Sequence, residues 1–143
     1  MNSEIALEEG LYYRQTLFDK AKRVIVKVGS AILAGENGLN RQVIDNLARE
    51  IAFLHNSGRE VILVTSGAVA AGRRKIHMGD GLELTIKQKQ ALAAIGQSSL
   101  MHDYDEAFAA YGKNIAQILL THSDLANRKR YLNVRNTILT LFK

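Results

Sequence analysis

The sequence predicts an α/β fold in which a mainly parallel sheet lies between two layers of helices. Its two clearest apolar runs, residues 23–28 and 61–64, are short, and each is followed by a helical pattern. The predicted order is strand, helix, strand, helix, long helix, strand, helix, which is typical of parallel sheets with helices on both faces. Because such sheets bind ligands at the carboxyl ends of their strands, candidate site residues are expected there.

The first predicted strand covers residues 23–28, Arg-Val-Ile-Val-Lys-Val. Four β-branched residues within five positions are typical of a strand that is buried on both faces. Lys27 stands out, because burying an ammonium group is costly unless it reaches an anion, and Gly29 lets the backbone approach a ligand closely. The alternative interpretation is a lysine at a strand end whose amine extends into water.

A helix is predicted after a loop that covers residues 29–40. Asn40 is a suitable N-cap for this helix, and Ser57-Gly58 is a suitable stop. Between them the apolar residues have helical spacing, at Ile44, Leu47, Ala48, Ile51 and Leu54.

The second predicted strand, residues 61–64, leads into Thr-Ser-Gly-Ala, where small and polar residues replace bulky ones. A helix is predicted to begin near Ala68. Its first N–H groups would point outward beside Ser66 and Gly67 and form an anion site. The basic residues 73–75 fall in the last turn of this helix, where positive charge complements the helix dipole, and we assign them that structural role.

Residues 77–84 are predicted as a loop that precedes a long helical segment. Thr85 and Gln88 have the spacing of a capping box, which begins one helix of about 25 residues or two helices with a bend near Gly96. Small side chains crowd residues 91–99. They permit close packing against the sheet, a neighbouring helix or another subunit.

The two ends of the chain complete the predicted organisation. The third strand covers residues 114–120, and an amphipathic helix runs from about residue 124 or 126 to 142. Residues 1–22 are poorly periodic and are interpreted as an N-terminal arm with at most one loose helical turn. Three strands are few for so many helices, so residues 23–143 are interpreted as the front part of a larger α/β domain.

The composition is that of a globular protein without a disulfide framework. Hydrophobic residues make up 47% of the 143 residues and charged residues 23%, and there is no cysteine. No apolar run approaches the roughly 20 residues of a transmembrane helix, and the N-terminus is too acidic for a signal peptide. A cytoplasmic location without membrane contact is therefore expected.

The net charge of +5 is concentrated near the C-terminus, where residues 124–143 carry five basic side chains and one acidic one, a balance of +4. A nucleic-acid patch is one interpretation, but aromatic residues are only 6% of the chain and no recognition motif accompanies the charge. A solvated helix face is favoured, so nucleic acid is not expected as a partner of this part. Of the five basic residues, those that could form such a patch are Arg128, Lys129, Arg130 and Arg135.

Other familiar site motifs are missing from the sequence. There is neither a P-loop nor a dinucleotide fingerprint, and Ser66 does not lie in the Gly-x-Ser-x-Gly of hydrolase nucleophiles. The four histidines share no ligand spacing and are expected at or near the surface, so no metal site is predicted. Asp103, Asp105 and Glu106 are interpreted as solvated carboxylates without a catalytic part.

Four segments together resemble the amino acid kinase family, in particular its glutamate 5-kinase branch. They are Lys-Val-Gly-Ser at 27–30, Val-Thr-Ser-Gly-Ala-Val-Ala-Ala-Gly at 64–72, Ala-Ala-Ile-Gly-Gln-Ser at 93–98 and Gln-Ile-Leu-Leu-Thr at 117–121. The similarity runs from about residue 22 to the C-terminus. It implies a three-layer α/β/α sandwich on a largely parallel sheet, of which this chain would be roughly the N-terminal half.

The resemblance also implies a reaction and the residues that carry it. The reaction is transfer of the γ-phosphoryl group of ATP, bound with Mg²⁺, to the side-chain carboxylate of L-glutamate, which gives L-glutamate 5-phosphate in the first step of proline biosynthesis. Lys27 matches the family's phosphate-binding lysine and is the expected catalytic residue. The other expected roles are phosphate binding by Gly29 and Ser30 and glutamate binding by Ser66, Gly67 and Ala68.

Two alternatives remain open at this point. One is a sister kinase that acts on acetylglutamate, aspartate or carbamate, although the Ser-Gly-Ala and Ala-Ile-Gly-Gln-Ser segments favour glutamate. The other is a non-catalytic basic binding module. In either kinase interpretation the nucleotide-binding half of the family's domain lies outside these residues, so this chain alone is expected to be inactive. A small sheet with an open edge and an apolar face is expected to self-associate, which predicts a homo-oligomer.

Overall fold

A computed structural model describes residues 2–35, 38–79 and 82–143, and in these ranges it contains seven helices and four strands. The helices are α1 (Asn2–Lys20), α2 (Ser30–Leu33), α3 (Arg41–Asn56), α4 (Ala68–Lys75), α5 (Ile86–Ala109), α6 (His122–Ala126) and α7 (Arg128–Leu141). The strands are β1 (Arg23–Val28), β2 (Ala34–Gly35), β3 (Gly38–Leu39) and β4 (Glu60–Thr65). The predicted α/β class is confirmed, while parts of the two predicted loops, residues 36–37 and 80–81, lie outside the described residues.

Strands β1 and β4 form a parallel pair, as the sequence predicts. Arg23 lies opposite Glu60 at one end of the pair, and Val28 lies opposite Thr65 at the other. Because side chains alternate along a strand, residues 24, 26 and 28 of β1 share one face of the sheet with residues 61, 63 and 65 of β4. This face packs against the core.

The other face of the β1–β4 pair is largely uncovered. Ile25 is 65% exposed on this face and Val64 is 48% exposed. The prediction that the first strand is buried on both faces is therefore wrong for the described residues. A run of β-branched residues indicates that a segment fits a pleated sheet. It does not indicate whether other residues cover each face of that sheet.

Helices α3 and α5 cover the packed face of the sheet. The largest fully buried side chains come from α2, α3 and α5 and are Leu33, Ile44 and Leu100. The predicted helix stops and starts are confirmed here. The Asn40 side chain accepts the Val43 N–H at 3.2 Å, and Thr85 with Gln88 forms the capping box of α5.

Helices α4 and α5 touch through their backbones. A Cβ atom added at Gly72 would lie 2.0 Å from the Leu92 carbonyl oxygen, and one added at Gly96 would lie 2.0 Å from the Ala68 carbonyl oxygen. Of the packing partners predicted for the small residues 91–99, the neighbouring helix is thus the observed one. No bend divides α5, which runs unbroken through Gly96.

Three predicted elements before the C-terminal helix differ from the structure. Residues 2–20 form the helix α1 and not a single loose turn, because most of these residues favour helix even without a regular apolar face. The loop 29–40 contains α2 and the antiparallel pair β2–β3. Residues 114–121 form no strand, since they pair with neither β1 nor β4, and Leu119 is 71% exposed.

The predicted C-terminal helix is divided in two. Asn127 has extended backbone angles between α6 and α7, and its side chain accepts the N–H groups of Lys129 and Arg130. Asparagine at such a break is a strong N-cap, a signal that outweighs the continuous apolar spacing. None of the helices in the described ranges has the length and apolarity needed to cross a bilayer.

Asp103 corrects another expectation, because it is not a solvated carboxylate. It is buried in α5, with its Oδ2 atom 3.0 Å from Arg74 Nη2 of α4 and its Oδ1 atom 3.7 Å from Arg41 Nη1 of α3. Arg41 also pairs with Glu106 at 2.8 Å. These ion pairs link helices α3, α4 and α5.

Replacing Asp103 is expected to destabilise the fold measurably. Asp103→Asn removes the charge that faces two arginines, and the expected loss in free energy of unfolding is about 1–3 kcal/mol, limited by the partial exposure of both arginines. Urea denaturation measures it. The matched control is Asp45→Asn, whose side chain is 53% exposed beside the same Arg41 and whose loss is expected below about 0.5 kcal/mol. Equal losses for the two variants would contradict this role.

Candidate functional site

The carboxyl ends of β1 and β4 lie side by side, and this places the two predicted ligand-binding segments next to each other. Val28 and Thr65 are opposite in register, and the Ser66 hydroxyl donates to the Val28 carbonyl at 3.3 Å. Residues 27–30 and 66–68 therefore meet at one end of the sheet. Strand ends of this kind are where α/β sheets bind ligands.

Lys27 lies on the uncovered face of β1, opposite Val64, and its side chain is exposed. The lysine is open to solvent near the strand end, where water can solvate its charge, and its side chain has no ion pair within residues 2–35, 38–79 and 82–143. Exposure also leaves the ammonium group accessible to an anionic ligand. The ligand role of Lys27 therefore stays a prediction.

Gly29 and Ser30 follow Lys27 at the turn into α2. A Cβ atom built on Gly29 would meet no atom within 4 Å, so the space beside this residue is open. Ser30 is exposed and begins α2. Both residues are thus accessible from the side on which β1 ends.

Gly67 lies in the turn between β4 and α4 and is the N-cap of α4. Its φ of +127° is in the region that favours glycine, and a Cβ atom there would lie 3.1 Å from Leu39 Cδ2. Ser66 before it is exposed, and Ala68 after it begins α4. The amino-terminal end of α4, with its partial positive charge, is therefore close to the strand that carries Lys27.

One residue at this end of the sheet was not predicted from the sequence. Tyr104 of α5 is 2% exposed, and its hydroxyl lies 2.7 Å from Thr65 Oγ1. Burial raises the pKa of Tyr104, although the hydrogen bond with Thr65 partly opposes the shift. The two residues are 39 positions apart, and no motif links them.

The candidate site is an open surface in the described part of the chain. Two clefts of about 480 and 450 Å³ lie along α7, the first of them beside Glu60, which is at the opposite end of β4 from Ser66. No group of three His, Asp or Glu side chains within ranges 2–35, 38–79 and 82–143 is arranged to hold a metal ion.

The C-terminal basic residues are not part of a recognised nucleic-acid-binding motif. Arg128, Lys129 and Arg135 are exposed, and Arg130 Nη1 lies 3.4 Å from Asp124 Oδ1. The Thr121 hydroxyl and N–H donate to Asp124 and, with a smaller contribution from Arg130, lower the pKa of Asp124. All four histidines are exposed, as expected from the sequence.

Comparison with known proteins supplies independent information. Residues 22–143 match the model of the amino acid kinase family. A glutamate 5-kinase of Desulfotalea psychrophila is 63% identical over 130 residues, which cover 91% of this chain and 35% of that protein. Glutamate 5-kinases of Geobacter sulfurreducens and Syntrophotalea carbinolica are 53% and 48% identical over 129 and 130 residues, which cover 90% and 91% of this chain. The chain spans about a third of the length of these curated relatives, 34% and 35% for the last two.

Proposed function

Because the chain belongs to the amino acid kinase family, we propose that its residues serve a kinase that transfers the γ-phosphoryl group of ATP to the side-chain carboxylate of L-glutamate. The product would be L-glutamate 5-phosphate, the first intermediate on a route to proline. The observation that carries the proposal is the contact between the ends of β1 and β4, where the Ser66 hydroxyl donates to Val28 beside Lys27. Relatives that bear the name glutamate 5-kinase support glutamate over the other acids considered above.

Lys27 is the proposed catalytic residue. A phosphoryl group in transfer carries negative charge on its equatorial oxygens, so catalysis depends on positioning and on nearby positive groups. The accessible ammonium of Lys27 is suited to this charge, and the open turn at Gly29 and Ser30 would admit the phosphates. In this proposal Mg²⁺ arrives bound to the phosphate oxygens of ATP.

Ser66, Gly67 and Ala68 are the proposed glutamate-binding residues. Their support is the position of the turn at the start of α4, where backbone N–H groups and the helix dipole favour a carboxylate. A carboxylate bound there would lie near the end of β1. The acceptor and the phosphoryl group would then meet between the two strands.

We further propose that residues 23–143 are the N-terminal part of the kinase domain and that residues 1–22 are an arm outside it. We also propose that the protein is cytoplasmic and forms a homo-oligomer. The uncovered face around Ile25 and Val64 supports association with further protein, because exposed apolar faces of sheets invite it. Since the chain covers a third of its relatives' length and the site is open on one side, these 143 residues alone are expected not to turn over.

A chimera tests the proposal. The 130 matching residues of the D. psychrophila glutamate 5-kinase are replaced by those of this chain, and ADP release is measured with L-glutamate, N-acetylglutamate, aspartate and carbamate as acceptors. We expect release that depends on L-glutamate, and none above background from the 143-residue chain alone. A folded chimera that prefers another acceptor would contradict the glutamate assignment, and full activity of the chain alone would contradict its expected inactivity.

A further inference from the structure

The Thr65 hydroxyl connects the turn before α4 to helix α5. The Thr65 hydroxyl donates to the Ser66 carbonyl at 3.1 Å and lies 2.7 Å from the Tyr104 hydroxyl. A hydroxyl has a single proton to donate, so whenever the Thr65 proton is directed at the Ser66 carbonyl, the Tyr104 hydroxyl donates to Thr65. In that arrangement the hydrogen bonds run from the buried Tyr104 of α5 through Thr65 to the peptide that precedes Gly67.

The same helix supports this turn at a second point. Leu100, one helical turn before Tyr104, has its Cδ1 atom 3.6 Å from the position of a Cβ atom on Gly67. Both Leu100 and Tyr104 are 2% exposed, so neither has freedom to move away. Beyond the turn, the Ser66 hydroxyl donates to Val28 of β1. The turn is thus fixed on one side by α5 and on the other by β1.

We propose that Tyr104 is a positioning residue whose hydroxyl, acting through Thr65, holds the Ser66–Gly67 peptide in the orientation that receives the acceptor carboxylate. For its substrate, L-glutamate, this inference rests on the function proposed above. Tyr104 itself is buried behind the turn, so it would act through Thr65 and not by touching the substrate. Without the Tyr104 hydroxyl, the half-buried Thr65 hydroxyl loses one of its two partners, so its side chain, and with it the bond to the Ser66 carbonyl, is held less firmly.

Amide hydrogen exchange in the 143-residue chain tests the positioning directly. The Ala71 N–H donates to the Gly67 carbonyl at 2.9 Å and reports whether the turn is in place. Tyr104→Phe keeps the ring and removes only the hydroxyl, and we expect exchange at Ala71 to be about tenfold faster. The matched control is Tyr111→Phe, whose residue is exposed after α5 and which should leave the rate unchanged. An unchanged rate in Tyr104→Phe would overturn the positioning role.

Kinetics of the chimera test the link to substrate. In Tyr104→Phe the KM for L-glutamate is expected to rise about tenfold, while the KM for ATP changes less than about twofold. Thr65→Val should reproduce this split, and Thr65→Ser, which retains the hydroxyl, should not. Equal changes in both KM values would overturn the substrate role. If the unmodified chimera shows no glutamate-dependent ADP release, the proposed function fails, and the exchange rates still decide whether the hydroxyl holds the turn.

Discussion

Gly96→Ala is expected to destabilise the chain by about 3 kcal/mol, a large share of the roughly 5–15 kcal/mol that keeps a domain folded. The added methyl group would lie 2.0 Å from the Ala68 carbonyl oxygen and 2.2 Å from the Gly72 nitrogen. Both contacts are with backbone, which cannot rotate away as a side chain can. Helices α4 and α5 would have to separate, and the core between α5 and the sheet would lose contacts with them. Urea denaturation measures the loss.

The matched control for this prediction is Gly10→Ala. Gly10 also lies within a helix, α1, but a Cβ atom there would meet nothing within 4 Å. Replacing it with alanine should leave the free energy of unfolding unchanged or raise it by up to about 1 kcal/mol, because alanine favours helix more than glycine does. A small effect of Gly96→Ala, similar in size to that at Gly10, would mean that α4 and α5 do not approach as closely as described.

The elements that sequence predicts well here are those whose signals are local. Asn40, Thr85 and the small residues 91–99 act on neighbouring backbone or on whatever packs against them, and each predicted the observed cap or contact. The strand at 114–120 fails because a strand needs a partner edge, and pairing over a long distance leaves no local pattern. For the same reason the apolar run 23–28 predicted a strand correctly but not which of its faces is covered.

At the candidate site, too, sequence predicted the features that depend on local signals and missed those that depend on distant contacts. The residues expected at the strand ends follow from the order of elements, and the structure brings Ser66 into contact with Val28, next to Lys27. Tyr104 and Asp103 are adjacent in α5. The sequence predicted no role for Tyr104, and it predicted that Asp103 is solvated, whereas Asp103 is buried beside Arg74. Whether a polar residue in a helix is solvated or buried with a partner depends on a segment far away in sequence. Only the packed arrangement of α3, α4 and α5 supplies that information.

Lys27→Met is expected to lower kcat of the chimera about a hundredfold or more, with little change in stability. Methionine retains the length of the side chain but removes the charge, and the loss of one preorganised positive group at a developing anion has effects of this size. Since the Lys27 side chain is exposed and makes no hydrogen bond or ion pair within the described residues, its replacement should not unfold the protein. ADP release with saturating L-glutamate and ATP measures kcat, and thermal unfolding provides the stability.

Arg23→Met is the matched control, because Arg23 is a cation on the same face of β1 at the opposite end of the strand. Its Nε atom donates to Glu60 Oε2 at 2.7 Å, and its guanidinium lies 5.1 Å from the centre of the Phe142 ring. Losing these exposed contacts should cost about 1 kcal/mol or less in stability and should leave kcat unchanged. Lys27→Arg keeps the charge with a different shape and should retain part of the rate. If both Met variants lowered kcat equally, the effect would come from the general charge of the sheet face and not from a phosphate-binding lysine at the strand end.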